Sequence, residues 1–315
     1  KYNGVHLEKK YMPIVHPNMA IVKPQMEDEI KKAFSKITPI MNDESTGLQA
    51  EKDYKHIESE AEFEPYKEQI LAADTLVVDI ETTSVSPFTG TILGIAISTK
   101  PHQGIYVSID VINKLHGWFQ DVFKKKKCIF HNAKFDMGFM EYELNFTFPD
   151  WEDTMLLHYC LEESVGTHGL KPLALRFTDL GDYERELDDY KKSWARRNKV
   201  KLADFNYGML PADILAPYAC KDGDATFQLY TKFKPLVDKS EEFTNLYTKI
   251  LQPATIALKR LERNGGPVDT IAVDDLQRSY QIDVEECIDE ISTNASVARF
   301  ERIHNKTFNP NSTMQ

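Results

Sequence analysis

Apolar and polar positions along this chain fall into two periods, and the changes of period mark its elements. Residues 75–79 are almost wholly apolar, the pattern of a central strand covered on both faces. Residues 92–98 and 104–109 give two further strands, joined by a hairpin-like connection over 101–103. Residues 111–123 have helical spacing, and the basic run 124–127 suits the solvated, negative end of a helix dipole. Residues 128–130 form a fourth short strand. Helical spacing then dominates over 133–143, 154–161, 170–177, about 211–233 and 241–263. A meander of three strands followed by β/α alternation predicts an α/β fold with a mixed central sheet.

The text before this core is less regular. Residues 26–37 read as a short amphipathic helix and 40–51 as a polar linker. Residues 53–73 are charged and helix-prone, with Phe63, Tyr66, Ile70 and Leu71 on one stripe. At 315 residues, the chain suits one large domain with appendages.

Composition narrows the class of protein. An apolar content of 42% suffices for a real core. No apolar run has membrane length, and the N-terminal text does not read as a signal peptide. The four cysteines (Cys128, Cys160, Cys220, Cys287) are far apart with no CxxC, so they read as buried thiols in a reducing compartment. A net charge of −11 argues against indiscriminate polyanion binding but allows local phosphate contacts. The basic run 191–201 reads first as a solvated helix face or loop. Its functional reading is contact with a nucleic-acid backbone, with Trp194 as a stacking platform.

The chemistry concentrates where the first strand ends, in Asp79-Ile80-Glu81. Strand side chains alternate, so both carboxylates project from one face. Like charges that close repel, and a cation is the economical way to hold them together. The segment 128–136 turns from strand to helix, with Asn132 at the turn and Asp136 in the first helical turn. The segment 217–230 reads as a helix starting near Pro217, with Tyr218 and Asp222 four apart on one face.

Asp79, Glu81, Asp136 and Asp222, with Tyr218, resemble the three-motif signature of the DEDD exonucleases in its tyrosine-bearing subclass. The histidine-bearing subclass would place His where Pro217 stands. The surrounding text resembles family A (polymerase-I-like) DNA polymerases, most of all the replicative enzymes of T-five-type bacteriophages. The resemblance is carried by Asp153-Thr-Met, by His168-Gly-Leu-Lys-Pro-Leu-Ala, by Asn264-Gly-Gly-Pro-Val-Asp269 and by Phe308-Asn-Pro-Asn-Ser-Thr-Met-Gln315. It covers roughly residues 55–315.

The resemblance implies an RNase H-like (DnaQ-like) exonuclease fold with a helical C-terminal segment. It divides the chain into an N-terminal extension (1–50), a 3′–5′ exonuclease domain (51–238) and the truncated start of a polymerase thumb region (239–315). No polymerase catalytic motif is present, so the chain is expected to be the proofreading fragment of a larger enzyme. The implied cofactors are two divalent cations, Mg²⁺ or Mn²⁺, whose hard character suits oxygen ligands. Asp79 would bridge both, Glu81 and Asp222 would complete the water-activating site, and Asp136 would hold the second. Tyr218 would orient the attacking water, because a phenol of ordinary pKa is a poor base.

The implied partners are a single-stranded or frayed DNA 3′ end, primer–template in the parent polymerase, and a replisome helicase or primase, with no membrane. The implied location is the cytoplasm of an infected bacterium. Val85 stands where the family places an apolar side chain against the terminal base. Asn132 reads equally as a turn former and as a substrate-positioning residue. His131 and His158 read as structural, and Lys221 as a solvent-facing helix position. The competing readings are a stand-alone RNase D-like exonuclease and a non-catalytic nucleic-acid-binding scaffold.

Overall fold

A computed structural model describes residues 52–164 and 166–312, with Ile30, Lys31 and Phe34 besides. Those three are helical; the rest of the expected 26–37 helix and the 40–51 linker lie outside the described residues. The chain divides into two compact units, residues 1–260 and 261–315.

The first unit is built on a six-stranded mixed sheet. Its strands are β1 (Asp53–Ile57), β2 (Thr75–Thr82), β3 (Ile92–Ser98), β4 (Gln103–Ser108), β5 (Lys127–Phe130) and β6 (Trp151–Asp153), in the order β1-β4-β3-β2-β5-β6. β2, β3 and β4 are antiparallel neighbours, whereas β5 runs parallel to β2, β6 to β5 and β1 to β4. This is the RNase H-like arrangement that the sequence implies.

Side-chain alternation sorts the sheet into two faces. Leu76, Val78 and Ile80 of β2, Ile95 and Ile97 of β3, and Ile105 and Val107 of β4 enter one core. There they meet α1 (Glu60–Ala72) through Phe63 and Ile70, and α3 (His116–Lys125) through Phe119 and Phe123; α2 (Ile109–Lys114) adds Val111 and Ile112. α4 (Ala133–Glu143) closes this face with Met137 and Met140. Ala96 and Tyr106 point the other way. They meet the long helix α8 (Ala212–Asp238) through Leu215, Ala216, Tyr218 and Ala219. α5 (Thr154–Leu161), α6 (Leu170–Phe177) and α7 (Arg185–Asn198) come before α8 in the chain. α9 (Glu241–Leu246), a π-turn (Tyr247–Leu251) and α10 (Gln252–Asn264) follow it.

Two glycines let α8 lie close on the sheet. A Cβ at Gly223 would stand 2.9 Å from Ser98 Oγ, and one at Gly104 would stand 3.2 Å from the Cys220 backbone oxygen. Burial against the sheet therefore fixes the height of the residue just before Gly223, Asp222.

The second unit holds α11 (Thr270–Ser292) and α12 (Ala295–His304). Asp269 caps the first by accepting from the Ala272 N–H at 3.0 Å, and Asn294 caps the second from Ser296 at 2.9 Å.

Several expectations are corrected. Residues 53–57 are a strand, not helix: β1 is an edge strand, and edges carry the charged side chains that hide strand periodicity. The opposite edge, β6, is three residues long and has no legible period. Leu71 is exposed, so the α1 stripe buries only Phe63 and Ile70 fully among its apolar members. The 111–123 helix is two helices broken at Leu115, and Lys127 already belongs to β5. The basic run 191–201 begins inside α7, and Trp194 makes a T-shaped contact with Phe205, ring centroids 5.2 Å apart, so it is in part a packing residue. Cys287 is exposed, unlike the other three thiols.

Candidate active site

β2 carries the centre of the site. Its inward face is apolar, so Asp79 and Glu81 fall on the face that α8 covers. Directly across on β3 stand Ala96, opposite Asp79, and Gly94, opposite Glu81. Both are small. A Cβ at Gly94 would come within 2.6 Å of the Val107 backbone oxygen, so no larger residue fits there. Just beyond, the register shifts between Glu81 and Thr82. Such an irregularity ends regular pairing and re-aims side chains.

α8 supplies the other half. Pro211 caps it, so the helix begins before Pro217 rather than at it. Tyr218 and Asp222 are one turn apart and both buried, 7% and 6% exposed. Asp79, Glu81 and Asp222 meet: one carboxylate oxygen of each lies within 4.8 Å of the others. Asp136, in the first turn of α4, is not part of that trio. It is 3% exposed and accepts the Ile80 N–H of β2 at 3.1 Å, so the backbone between the two β2 carboxylates fastens it beside them.

The electrostatics are those of an anionic cluster crowded together by burial. Asp79 reaches solvent through part of its surface, yet protein surrounds it densely. That desolvation, and then the charge of Asp222, lifts its carboxyl well above the usual carboxylate range. Glu81 rises through burial, then Asp79 and Asp222, and Asp136 through burial and then Asp79. The cation that pulls Asp79 and Glu81 back down is Lys171 of α6. Burial, followed by the charges of Asp222 and Glu81, also raises the Tyr218 phenol far above its ordinary value. Held protonated, it is placed to donate a hydrogen bond.

Three hard-oxygen donors, two buried and one partly exposed, that converge and repel one another fit a divalent cation. The residues nearest that place are therefore the ones that would hold it.

The remaining candidates are placed as follows. Val85 is 86% exposed in the loop after β2, free to meet a ligand. Asn132 adopts a left-handed conformation (φ 69°, ψ 53°) and its side chain makes no capping bond, so the turn uses its backbone and leaves its amide available. His131 meets Thr154 Oγ1 at 2.9 Å, and burial lowers its pKa to about 3, which makes it a neutral structural group. His158 pairs with His168, the two Nδ1 atoms 2.8 Å apart.

Three residues escaped sequence reasoning as site residues. Lys171 donates to Asp222, and Tyr183 donates to the same oxygen of Asp222 at 2.5 Å. Asp153 caps α5 and ties the Asn132 turn to it. It accepts from the N–H groups of Ala133 and Met155 at 2.8 Å, Asn132 at 3.0 Å and Leu156 at 3.4 Å. An Asp-Thr pair before an apolar run is an N-cap signal that marks Asp153 in the sequence.

Comparison with known proteins adds the family. Residues 54–238 match the 3′–5′ exonuclease family of A-type DNA polymerases. The chain is 33% identical to the DNA polymerase of Escherichia phage T5, over 100% of this chain and 38% of that protein. It is 25% identical to the DNA polymerase of Bacillus phage SP01, over 90% of this chain and 34% of that one. The chain thus spans little more than a third of the curated relatives it matches. Among solved structures, the catalytic core of RRP6 from Trypanosoma brucei covers 70% of this chain and 59% of its own, with a TM-score of 0.48 and 17% identity. The matched segment carries the whole acidic cluster, and the chain belongs to the 3′–5′ exonuclease family of the family A DNA polymerases.

Proposed function

We propose that this chain is the proofreading portion of a replicative DNA polymerase and removes single nucleotides from DNA 3′ ends with two divalent ions, Mg²⁺ or Mn²⁺. The observation that carries the reading is the meeting of Asp79, Glu81 and Asp222 at the end of β2, with Asp136 and Tyr218 beside them. Asp79 would contact both ions; Glu81 and Asp222 would complete one site and Asp136 the other. Bound there, the ions supply Lewis-acid charge and lower the pKa of water. Tyr218, protonated and covered, orients the attacking water through its hydroxyl. Val85 and Asn132, exposed and unbonded respectively, hold the terminal nucleotide.

A paired terminus must melt before its last nucleotide enters so enclosed a cluster. A mismatched end costs less to unpair, and this difference is the source of selectivity. Within the longer parent, residues 51–238 form the exonuclease part and 239–315 open the polymerase region. The partners are then primer–template DNA and a replisome helicase or primase, in the cytoplasm of an infected bacterium. No described helix is long and apolar enough to cross a membrane.

The test is degradation of 5′-labelled single-stranded, frayed and fully paired DNA, with a matched RNA, in Mg²⁺ and in chelator. A metal-dependent ladder of single-nucleotide steps is expected, fastest on unpaired DNA and lost in Asp79→Ala. Equal rates on paired and frayed ends, or a preference for RNA, would overturn the proofreading assignment.

A further inference from the structure

Lys171 lies at the second position of α6, after Gly169 and Leu170. A cation in a first helical turn faces the positive end of the helix dipole, an unfavourable place for it. Something must compensate, and the surroundings show what does. The ammonium donates to Asp222 Oδ1 and to the Tyr183 hydroxyl at 3.3 Å. It also stands over two aromatic faces, 4.2 Å from the Tyr218 ring centroid and 4.6 Å from that of Tyr183. The lysine side chain is only 23% exposed, and that of Asp222 9%. Tyr183 donates to the oxygen that Lys171 uses. Two donors thus converge on one oxygen of the carboxylate that closes the acidic trio, and two π faces hold the charge in place.

We propose that Lys171 is a built-in counter-cation of the unloaded centre, which holds Asp222 in position and competes with the incoming divalent ion for it. The inference rests on the metal-centre reading above. An ammonium and a divalent ion drawn to the same carboxylate repel each other, so part of the binding energy of the ion goes into moving the lysine aside. Affinity for metal is therefore held down while the site is idle. A phosphodiester entering the cluster offers the ammonium another anion, so DNA and metal favour each other's binding through this one side chain. Lys171 acts through Asp222 and is a positioning residue. Tyr183 stays as the neutral donor that keeps Asp222 aimed once the ammonium has left.

The experiment is a Mn²⁺ titration of the metal-free full chain, read by calorimetry and by the loss of the free-Mn²⁺ paramagnetic resonance signal. Lys171→Met is expected to bind Mn²⁺ about tenfold more tightly than the unmodified chain, the scale of one charge-assisted hydrogen bond. Lys171→Gln, which keeps a polar donor and guards against misfolding, shows the same direction. Lys171→Arg, which keeps the charge, stays near the unmodified value. A merely structural lysine would give unchanged or weaker binding in the Met and Gln variants, and that result overturns the inference alone. No Mn²⁺ binding by any of the proteins overturns this inference and the metal-centre reading together.

Discussion

Two sets of buried carboxylates lie in this unit, and they are treated in opposite ways. Asp224 is fully buried but satisfied. It accepts from the Tyr54 hydroxyl at 2.6 Å, the His102 N–H at 2.9 Å and Gln228 Nε2 at 3.0 Å. Asp153 takes four backbone N–H groups, although burial still pushes its carboxyl up to about 6. Each of these residues has donors in place of the water it lost, as stable buried polar groups require. Asp79, Glu81 and Asp222 instead face one another, relieved by Lys171 and the Tyr183 hydroxyl, which both donate to Asp222. Their repulsion is a standing cost to the fold. Hydrogen-bonded carboxylates build the scaffold, and the mutually repelling cluster suits an added cation.

The contrast can be broken first through activity. Asp79→Ala should lower the rate of 3′-end hydrolysis by roughly a thousandfold or more, because the cluster then lacks its central ligand. Its folding should be intact. Asp153→Ala should act first on stability. Losing an N-cap and a carboxylate that ties α4 to α5 should cost about 3 kcal/mol, read as a lower denaturant midpoint with unchanged slope.

Smaller effects sharpen the picture. Tyr218→Phe should keep measurable activity, with a loss of about tenfold for one orienting hydrogen bond. Complete loss, equal to that of Asp79→Ala, would rule out the orienting role.

The pH dependence of stability has a definite sign. Burial first, and neighbouring carboxylates second, raise Asp79, Glu81 and Asp136 above their unfolded values, so the folded state binds protons more tightly than the unfolded one. Their stabilising contribution is full below an unfolded pKa of about 4 and is lost as pH rises through the higher folded values. In chelator, the melting temperature should therefore rise as pH falls from 8 toward 5. Mg²⁺ should flatten that slope, because the ion replaces the protons.

How much of this was legible in the sequence follows from range. Asp79 and Glu81 share a strand, and Tyr218 and Asp222 share a helix, so local periodicity places each pair on one face. β3, α4, α5 and α6 likewise have strong local patterns, and their observed bounds agree with those read from the sequence. β1 and β6 are edges, short or charged, and owe their conformation to pairing with distant partners. Lys171 and Tyr183 reach Asp222 from 51 and 39 residues away, so no window of sequence holds both ends. A local trace does exist for Lys171: a cation in a first helical turn that lacks acidic residues asks for an anion from elsewhere.

One measurement bears most directly on the claim that the cluster is a cation site held at a cost to the fold. It is the melting temperature of the unmodified chain and of Asp79→Asn, each in chelator and in Mg²⁺. The account predicts that Asp79→Asn melts higher than the unmodified chain in chelator and gains little from Mg²⁺, while the unmodified chain gains clearly. A variant that melts lower in chelator, or an unmodified chain indifferent to the ion, would contradict it.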